Sequence, residues 1–353
     1  MTVAADELSP FGTHRVLEPV GALPQAAWRL DATPRALANE IRCAVEILNI
    51  DSASFRQIAE ANGGDPHAIG EHVVATVRQR GKQHNPVTGS GGMFVGRVVE
   101  VGADLRDRAT IREGDRIASL VSLTLTPLEI ERIERVDVAT GRVWIAGSAI
   151  LFASGIYARL PDDIPTDVAL AVLDVAGAPA QVRRLARPGQ TVVVFGADGK
   201  SGMLACVHAK AGVGASGRVV GVAPDATTTS ARLLLREGYV DRFVETDARD
   251  AVAVLAALRA ADVPAADLVV NCVNVGGTEL ASILCARDEA TIYFFSMSTS
   301  FTAAALGAEG VGKDVTMIVG NGYAKGHAGI ALQTLRDHPA IARYFTDRYT
   351  THP

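Results

Sequence analysis

The stretch from Thr191 to Gly202, Thr-Val-Val-Val-Phe-Gly-Ala-Asp-Gly-Lys-Ser-Gly, limits what this chain can fold into. Val192, Val193, Val194 and Phe195 leave no polar face for water, so they predict a strand buried on both sides. Gly196, Gly199 and Gly202 follow at three-residue spacing, and Leu204, Val207 and Ala211 then share one face of a helix predicted over 203–211. Strand, glycine-rich turn and helix together make a phosphate cradle. Glycine lets the backbone turn tightly and approach a pyrophosphate, while the N–H groups at the helix start face its negative charge. A glycine-rich turn alone is a weak signal, and the plain alternative is a tight turn with no ligand. Two further apolar strands, predicted at 218–223 and 267–273, supply the context that strengthens it. A nicotinamide cofactor is expected, contacted by Gly196, Gly199, Lys200, Ser201 and Gly202.

A chain of 353 residues is too long for one ordinary core, so two domains are expected. The first is placed at 1–160 and the dinucleotide-binding domain at 161–325. The tail 326–353 is expected to pack back on the first domain. A net charge of −5 gives no electrostatic case for nucleic acid. No apolar run reaches membrane-spanning length, and no basic start precedes a hydrophobic segment. Cys43, Cys206, Cys272 and Cys285 are scattered without a Cys-x-x-Cys, so neither a disulfide framework nor a structural zinc knuckle is suggested. A cytoplasmic location with a small-molecule substrate fits this composition.

Pro10, Pro19, Pro24 and Pro34 break any long element in the first 40 residues, which are expected to wrap a surface. Ile41 to Ile47 predicts a strand, and helical spacing appears over 55–61 and 68–80, the latter with Ile69, Val73, Val74 and Val77 on one side. Gly81 to Gly92 breaks that pattern. Strands are predicted over 93–101, from Gly114 to Val121 and over 142–151, with an amphipathic segment over 124–138. From Asp167 onward strands and helices alternate, the mark of a parallel sheet with crossover helices. Strands are expected near 192–195, 218–223, 241–245, 268–273, 290–296 and 315–319. The tail reads as helical over 326–347, interrupted at Pro339.

Three motifs resemble the medium-chain dehydrogenase superfamily. Gly96-Arg97-Val98-Val99-Glu100-Val101-Gly102 is similar to its Gly-x-Val-x-x-Val-Gly strand, Gly114-Asp115-Arg116-Ile117 to its Gly-Asp-Arg-Val turn, and Ala176-Gly177-Ala178-Pro179-Ala180 to its Ala-Gly-Leu-Thr-Ala helix. The resemblance implies a GroES-like β-rich domain followed by a Rossmann doubly wound parallel sheet. The departures matter more. Where zinc-holding members carry Gly-His-Glu, this chain has Gly91-Gly92-Met93. The first ligand Cys falls within Asn49-Ile50-Asp51, and the third near Asp174-Val175. With thiolates and imidazole missing there, a tetrahedral zinc site of nitrogen and sulfur donors cannot be assembled at those positions. A metal-free enzyme is expected.

A closer resemblance covers nearly the whole chain. Residues 49–55, 81–92, Leu173 to Gln181, Gly199 to Leu204 and Gly320 to Ala328 are similar, in order and spacing, to the L-erythro-3,5-diaminohexanoate dehydrogenase family. That resemblance implies NAD-dependent oxidative deamination of the 3-amino group, giving 5-amino-3-oxohexanoate and ammonia in lysine degradation. It also implies a homo-oligomer, with a dimer favoured. A zinc-free quinone or enoyl reductase is the competing enzyme reading, and a nucleotide sensor without chemistry is the competing class.

Such a substrate carries two ammonium groups and a carboxylate, so its site needs carboxylates for the former and a cation or N–H donors for the latter. Asp51 and Asp174 stand close to positions where zinc-dependent relatives place ligands, and both are expected to bind substrate ammonium groups. The alternatives are helix caps. Lys82 and His84 precede the glycine-rich turn, and each is a candidate for removing the ammonium proton or for binding the carboxylate. The alternative is a solvated lysine and a surface histidine. Thr88 and Ser90 are expected to donate nearby. Asn271 and Asn274 follow an apolar strand and suggest cofactor contact or plain turn formation. Ser296, with Ser298 and Thr299, is expected near the nicotinamide carboxamide. Tyr323, Lys325 and His327 cluster in a loop that closes the site or simply meets solvent. Asp225 stands one position late for the acid that binds the ribose diol, and Arg232 makes no evident 2′-phosphate clamp. NAD is favoured over NADP.

Overall fold

The computed structural model describes residues 8–85, 91–320 and 322–350. They separate into two compact units that meet in sequence at Pro161 and Asp162.

The first unit is built on an antiparallel sheet. Its strands are β3 (Glu40–Asn49), β4 (Met93–Val101), β5 (Arg116–Ser119), β6 (Leu128–Asp137), β7 (Arg142–Phe152) and β8 (Tyr157–Arg159), ordered β6-β7-β3-β4-β5-β8. A short ribbon, β1 (Val16–Glu18) with β2 (Arg29–Leu30), stands apart from that sheet. The predicted amphipathic segment is strand β6, which pairs with β7 from Leu128↔Ala149 to Asp137↔Arg142. Apolar Leu128, Ile130, Ile133 and Val136 pack on the core while the glutamates and arginines between them meet solvent.

Helices α1 (Ser52–Ala61) and α2 (Pro66–Arg80) fill the crossover between β3 and β4. Asp51 caps α1 by accepting from the Ser54 N–H, and Asp65 caps α2 ahead of a proline at its first position. Ile69, Val73 and Val77 bury one face of α2, and Gly81, left-handed at φ 65°, ends it.

The second unit is a doubly wound sheet of parallel strands. Its strands are β9 (Thr191–Phe195), β10 (Arg218–Ala223), β11 (Arg242–Glu245), β12 (Ala266–Asn271), β13 (Ala286–Phe294) and β14 (Val315–Val319). The order β11-β10-β9-β12-β13-β14 reverses direction between β9 and β12, the position where such sheets open a ligand crevice. Helices α3 (Thr166–Leu173), α4 (Gly177–Leu185), α5 (Lys200–Val213), α6 (Thr229–Arg236), α7 (Ala251–Ala260), α8 (Glu279–Cys285) and α9 (Phe301–Val311) accompany it. Val192 to Phe195 are fully buried, as their unbroken apolar run demands.

The tail forms α10 (His327–Asp337) and α11 (Pro339–Tyr349), divided where Pro339 starts a new helix rather than continuing the old one. The expectation that 326–353 packs back on the first domain is corrected. Described through residue 350, the tail lies within the second unit, α10 on α3 and α4 and α11 on α3. Ala331, Leu332, Leu335, Ile341 and Phe345 give these helices an apolar face that the neighbouring helices cover. No helix among the described residues is long and apolar enough to cross a membrane.

Candidate functional site

The cradle at the end of β9 is set by backbone. Gly196 is left-handed at φ 69°, and a Cβ there would press on the Cys272 carbonyl carbon and the Val273 nitrogen at 3.2 Å. A Cβ on Gly202 would collide with the Gly196 carbonyl, so the first turn of α5 lies flush against the loop. Gly199 caps α5 with no side-chain hydrogen bond, and the first-turn N–H groups of Lys200, Ser201 and Gly202 face out of the helix end. These residues fit a pyrophosphate. Ser201 also hydrogen-bonds the Cys272 thiol, whose pKa burial pushes up to about 12.

Charge around the cradle is more committed than the sequence suggests. Lys200 donates from Nζ to Asp174 Oδ2 at 2.7 Å, with the Tyr349 ring centroid 5.8 Å from the ammonium. Asp174 ends α3 and is exposed, not sunk in the apolar run that precedes it, because its side chain turns out to meet Lys200. Asp225 lies beyond β10, where its Oδ1 accepts from both the Thr227 N–H and hydroxyl at 2.6 Å. Those bonds hold its carboxyl below the usual range. Asp198, inside the glycine loop, is half-buried, and burial and the Asp225 charge raise its pKa.

The Asn271 side chain is bonded within the fold. Fully buried, its amide donates to Thr278 Oγ1 and Ser282 Oγ at 2.9 Å and its oxygen accepts from the Val273 N–H, so the side chain is consumed in bracing the turn after β12. Asn274 is exposed in that turn, and its carbonyl accepts from Ser298 Oγ at 2.8 Å. Ser296 follows β13 and accepts from the Ser298 N–H, closing its own turn. His327 is buried at the start of α10 with its ring 5.2 Å from that of Tyr323, and the Lys325 carbonyl accepts from Arg184.

In the first unit Asp51 serves as the α1 cap through Oδ1, yet its Oδ2 is buried without a hydrogen-bond partner among the described residues. A bare carboxylate oxygen in such surroundings is costly unless a donor arrives. Lys82 is not the solvated residue of the plain alternative, nor is its amine open to substrate. Fully buried, it donates to the Pro24 carbonyl at 2.7 Å and the Gln25 carbonyl at 3.2 Å. Burial, aided by Arg80, lowers its pKa to about 8. This lysine straps the N-terminal arm to the end of α2. His84 is half-buried, its Nδ1 is without a partner among the described residues, and burial with Arg80 and Lys82 lowers its pKa. Thr88 and Ser90 lie outside the described residues, as does Asn321 of the Gly320–Ala328 motif.

Against this geometry stand the comparisons with known proteins. The family model for the L-erythro-3,5-diaminohexanoate dehydrogenase N-terminal domain matches residues 14–161. The protein of that name from Acetoanaerobium sticklandii is 51% identical over 96% of this chain and 98% of its own length. The one from Fusobacterium nucleatum is 48% identical over the same shares. The chain belongs to the L-erythro-3,5-diaminohexanoate dehydrogenase family. Among solved structures, a mycobacterial quinone oxidoreductase matches with a TM-score of 0.52 at 16% identity, over 90% of this chain and 84% of that one. A thermostable alcohol dehydrogenase from Pyrobaculum aerophilum matches at 0.50 and 15%, over 86% and 82%. These likenesses establish the medium-chain dehydrogenase fold, a GroES-like first unit and a Rossmann second unit.

Membership makes the protein an oxidoreductase, and the cradle geometry agrees with a nicotinamide cofactor. Three residues that the motifs did not single out also matter: Asp198 in the glycine loop, Arg80 at the end of α2 and Gln83 beside His84. Asp198 was visible as the one acid within the loop. Arg80 and Gln83 carried no signal, because a charged residue ending a helix and a glutamine after it normally face water.

Proposed function

We propose that this chain oxidatively deaminates C3 of L-erythro-3,5-diaminohexanoate with NAD, without metal, in lysine degradation. Identity of 51% across nearly the full length of a family member carries the reading. In the balanced reaction the C3 ammonium loses a proton, hydride leaves C3, water adds to the resulting iminium, and the carbinolamine so formed expels its nitrogen, with the hydroxyl proton, as ammonium to leave the 3-oxo product. The nicotinamide, when bound, accepts the hydride. The protein's part is to hold charge, exclude water and place the amine.

Asp51 Oδ2 is suited to a substrate ammonium, since it is a buried acceptor lacking a donor among the described residues. Asp174 is committed to Lys200 rather than to substrate, and it competes with pyrophosphate for that cation in the first turn of α5. NAD is favoured over NADP because Asp225 and Asp198 put two carboxylates past the ends of β10 and β9, where a 2′-phosphate would be repelled. A dimer is supported by β14, an edge strand of the Rossmann sheet with Val319 exposed, and by exposed Phe301 and Leu306 on α9, which precedes it. A cytoplasmic location completes the reading.

The test is NADH formation by EDTA-treated protein with diaminohexanoate and NAD, NADP run in parallel. Asn caps a helix as well as Asp does, so Asp51→Asn keeps α1 while removing the charge. Turnover is expected to fall about 100-fold in that variant. Unchanged turnover, or turnover of quinones and enones in place of the diamine, would overturn the assignment.

A further inference from the structure

A cavity of about 310 Å³, with both polar and apolar lining, lies between α1, α2 and the segment that follows α2. Arg80, Gln83, His84, His72 and Gln57 contribute to its lining, and no aspartate or glutamate does. In a chain with more acids than bases, that exclusion gives the cavity a positive cast. Lys82, whose amine is turned to the Pro24 and Gln25 carbonyls, is not part of that lining, yet its charge, with that of Arg80, reaches the His84 imidazole and lowers its pKa.

Two polar atoms in the lining are unspent. Gln83 is 1% exposed, and its Oε1 accepts no hydrogen bond from the described residues. His84 Nδ1 is likewise buried without a partner among the described residues. Their neighbours are satisfied: the Asn85 amide donates to Gln57 Oε1 at 2.9 Å, and His72 Nδ1 meets Asn62 at 3.2 Å. Buried amide and imidazole atoms are rarely left without partners, and sites where they are left so tend to await a ligand. The Arg80 guanidinium is stacked 3.8 Å above the Trp28 ring, which fixes its plane without consuming its N–H donors.

From these placements we infer that this cavity binds the carboxylate end of the diamino acid, with Arg80 and His84 donating to the carboxylate and Gln83 Oε1 accepting from the neighbouring amine. The inference rests on the diamino-acid reading above and names the part of the site that reads the acid. A quinone or enone offers no anion for this set of donors. Arg80 is then a binding residue, and its stack on Trp28 makes it a reporter.

The sequence holds two tryptophans, Trp28 and Trp144, so Trp144→Phe leaves Trp28 as the sole emitter. In that background 3-aminobutanoate is expected to change Trp28 emission saturably, and its amide is expected to leave it unchanged. In turnover, Arg80→Met is expected to lower kcat/KM for diaminohexanoate about 30-fold through KM, and for 3,5-diaminohexanamide by no more than about 2-fold. If Arg80→Met does not fold, His84→Leu against His84→Gln reads the same split, since only the glutamine restores an N–H. Equal losses on acid and amide, or no emission change with 3-aminobutanoate, would overturn the assignment. An emission response without turnover of the diamine would uphold the cavity and reject the proposed reaction.

Discussion

Two glycine-bearing turns, one in each unit, are held by opposite means. After β9 the chain is shaped by what glycine lacks: Gly196 adopts φ 69°, and Gly202 admits no Cβ beneath the Gly196 carbonyl. After α2 the chain is shaped by what side chains reach. Gly81 ends the helix, and then Lys82 runs inward to two carbonyls of the N-terminal arm while Gln83 and His84 line a cavity. A turn made by backbone has a local signature. One made by side chains depends on partners about 57 residues away in sequence, and residue type alone does not reveal them.

That contrast is sharpest where one atom is added. Gly202→Ala puts a methyl group against the Gly196 carbonyl and lifts α5 off the loop, so nucleotide affinity should fall about 100-fold by titration. If the affinity survives, the cradle is not set by glycine contact and the comparison collapses.

Lys82→Met tests the other turn. It leaves the Pro24 and Gln25 carbonyls short of a donor, and stability should drop by about 2 kcal/mol at neutral pH. Turnover of the folded protein should change little, since the amine is not open to substrate. The pH dependence has a definite sign. The folded pKa of about 8 lies below the ordinary 10.5, so between them the unfolded chain holds the proton that the folded one has released. This group's contribution to stability therefore rises from pH 8 towards 10.5, and denaturation midpoints measured across that window should show the rise in the parent and not in Lys82→Met. A catalytic loss without loss of stability would make Lys82 the base after all.

The smallest effect is expected at Lys200 and Asp174, whose side chains are 31% and 45% exposed. Removing either should shift stability by less than about 0.5 kcal/mol. The pair divides instead on cofactor affinity. Lys200→Met should weaken it about 5-fold and Asp174→Asn should leave it level or better, because the freed ammonium then faces phosphate alone. Equal weakening by both would mean that Asp174 acts on the cofactor directly.

Much of the fold was legible because it is periodic. The all-apolar run at β9, the crossover pattern after Asp167 and the three-residue glycine spacing each follow from a local rule. The 124–138 segment shows a limit of such rules. Its amphipathic character was correct, but only pairing with β7 makes it a strand. The tail shows another, since an apolar helix face declares that it will be covered and not by what; here α3 and α4 cover it.

Within the candidate site the division follows the same line. Asp51 had two readings, cap and ligand, and the structure shows its two oxygens in different conditions, one capping α1 and one without a partner among the described residues. Asn271 shows the converse: correctly placed at the end of its strand, its amide is spent on Thr278 and Ser282. The sequence by itself determined the class of the cofactor and the family, because these reside in backbone-shaping glycines and in residue types at fixed spacing. The tertiary structure decided the state of each charge: Lys82 buried on carbonyls, Asp174 outside on Lys200, Arg80 over Trp28. A side chain's charge acquires its role from the solvent it loses and the partner it meets, and both are properties of the packed chain.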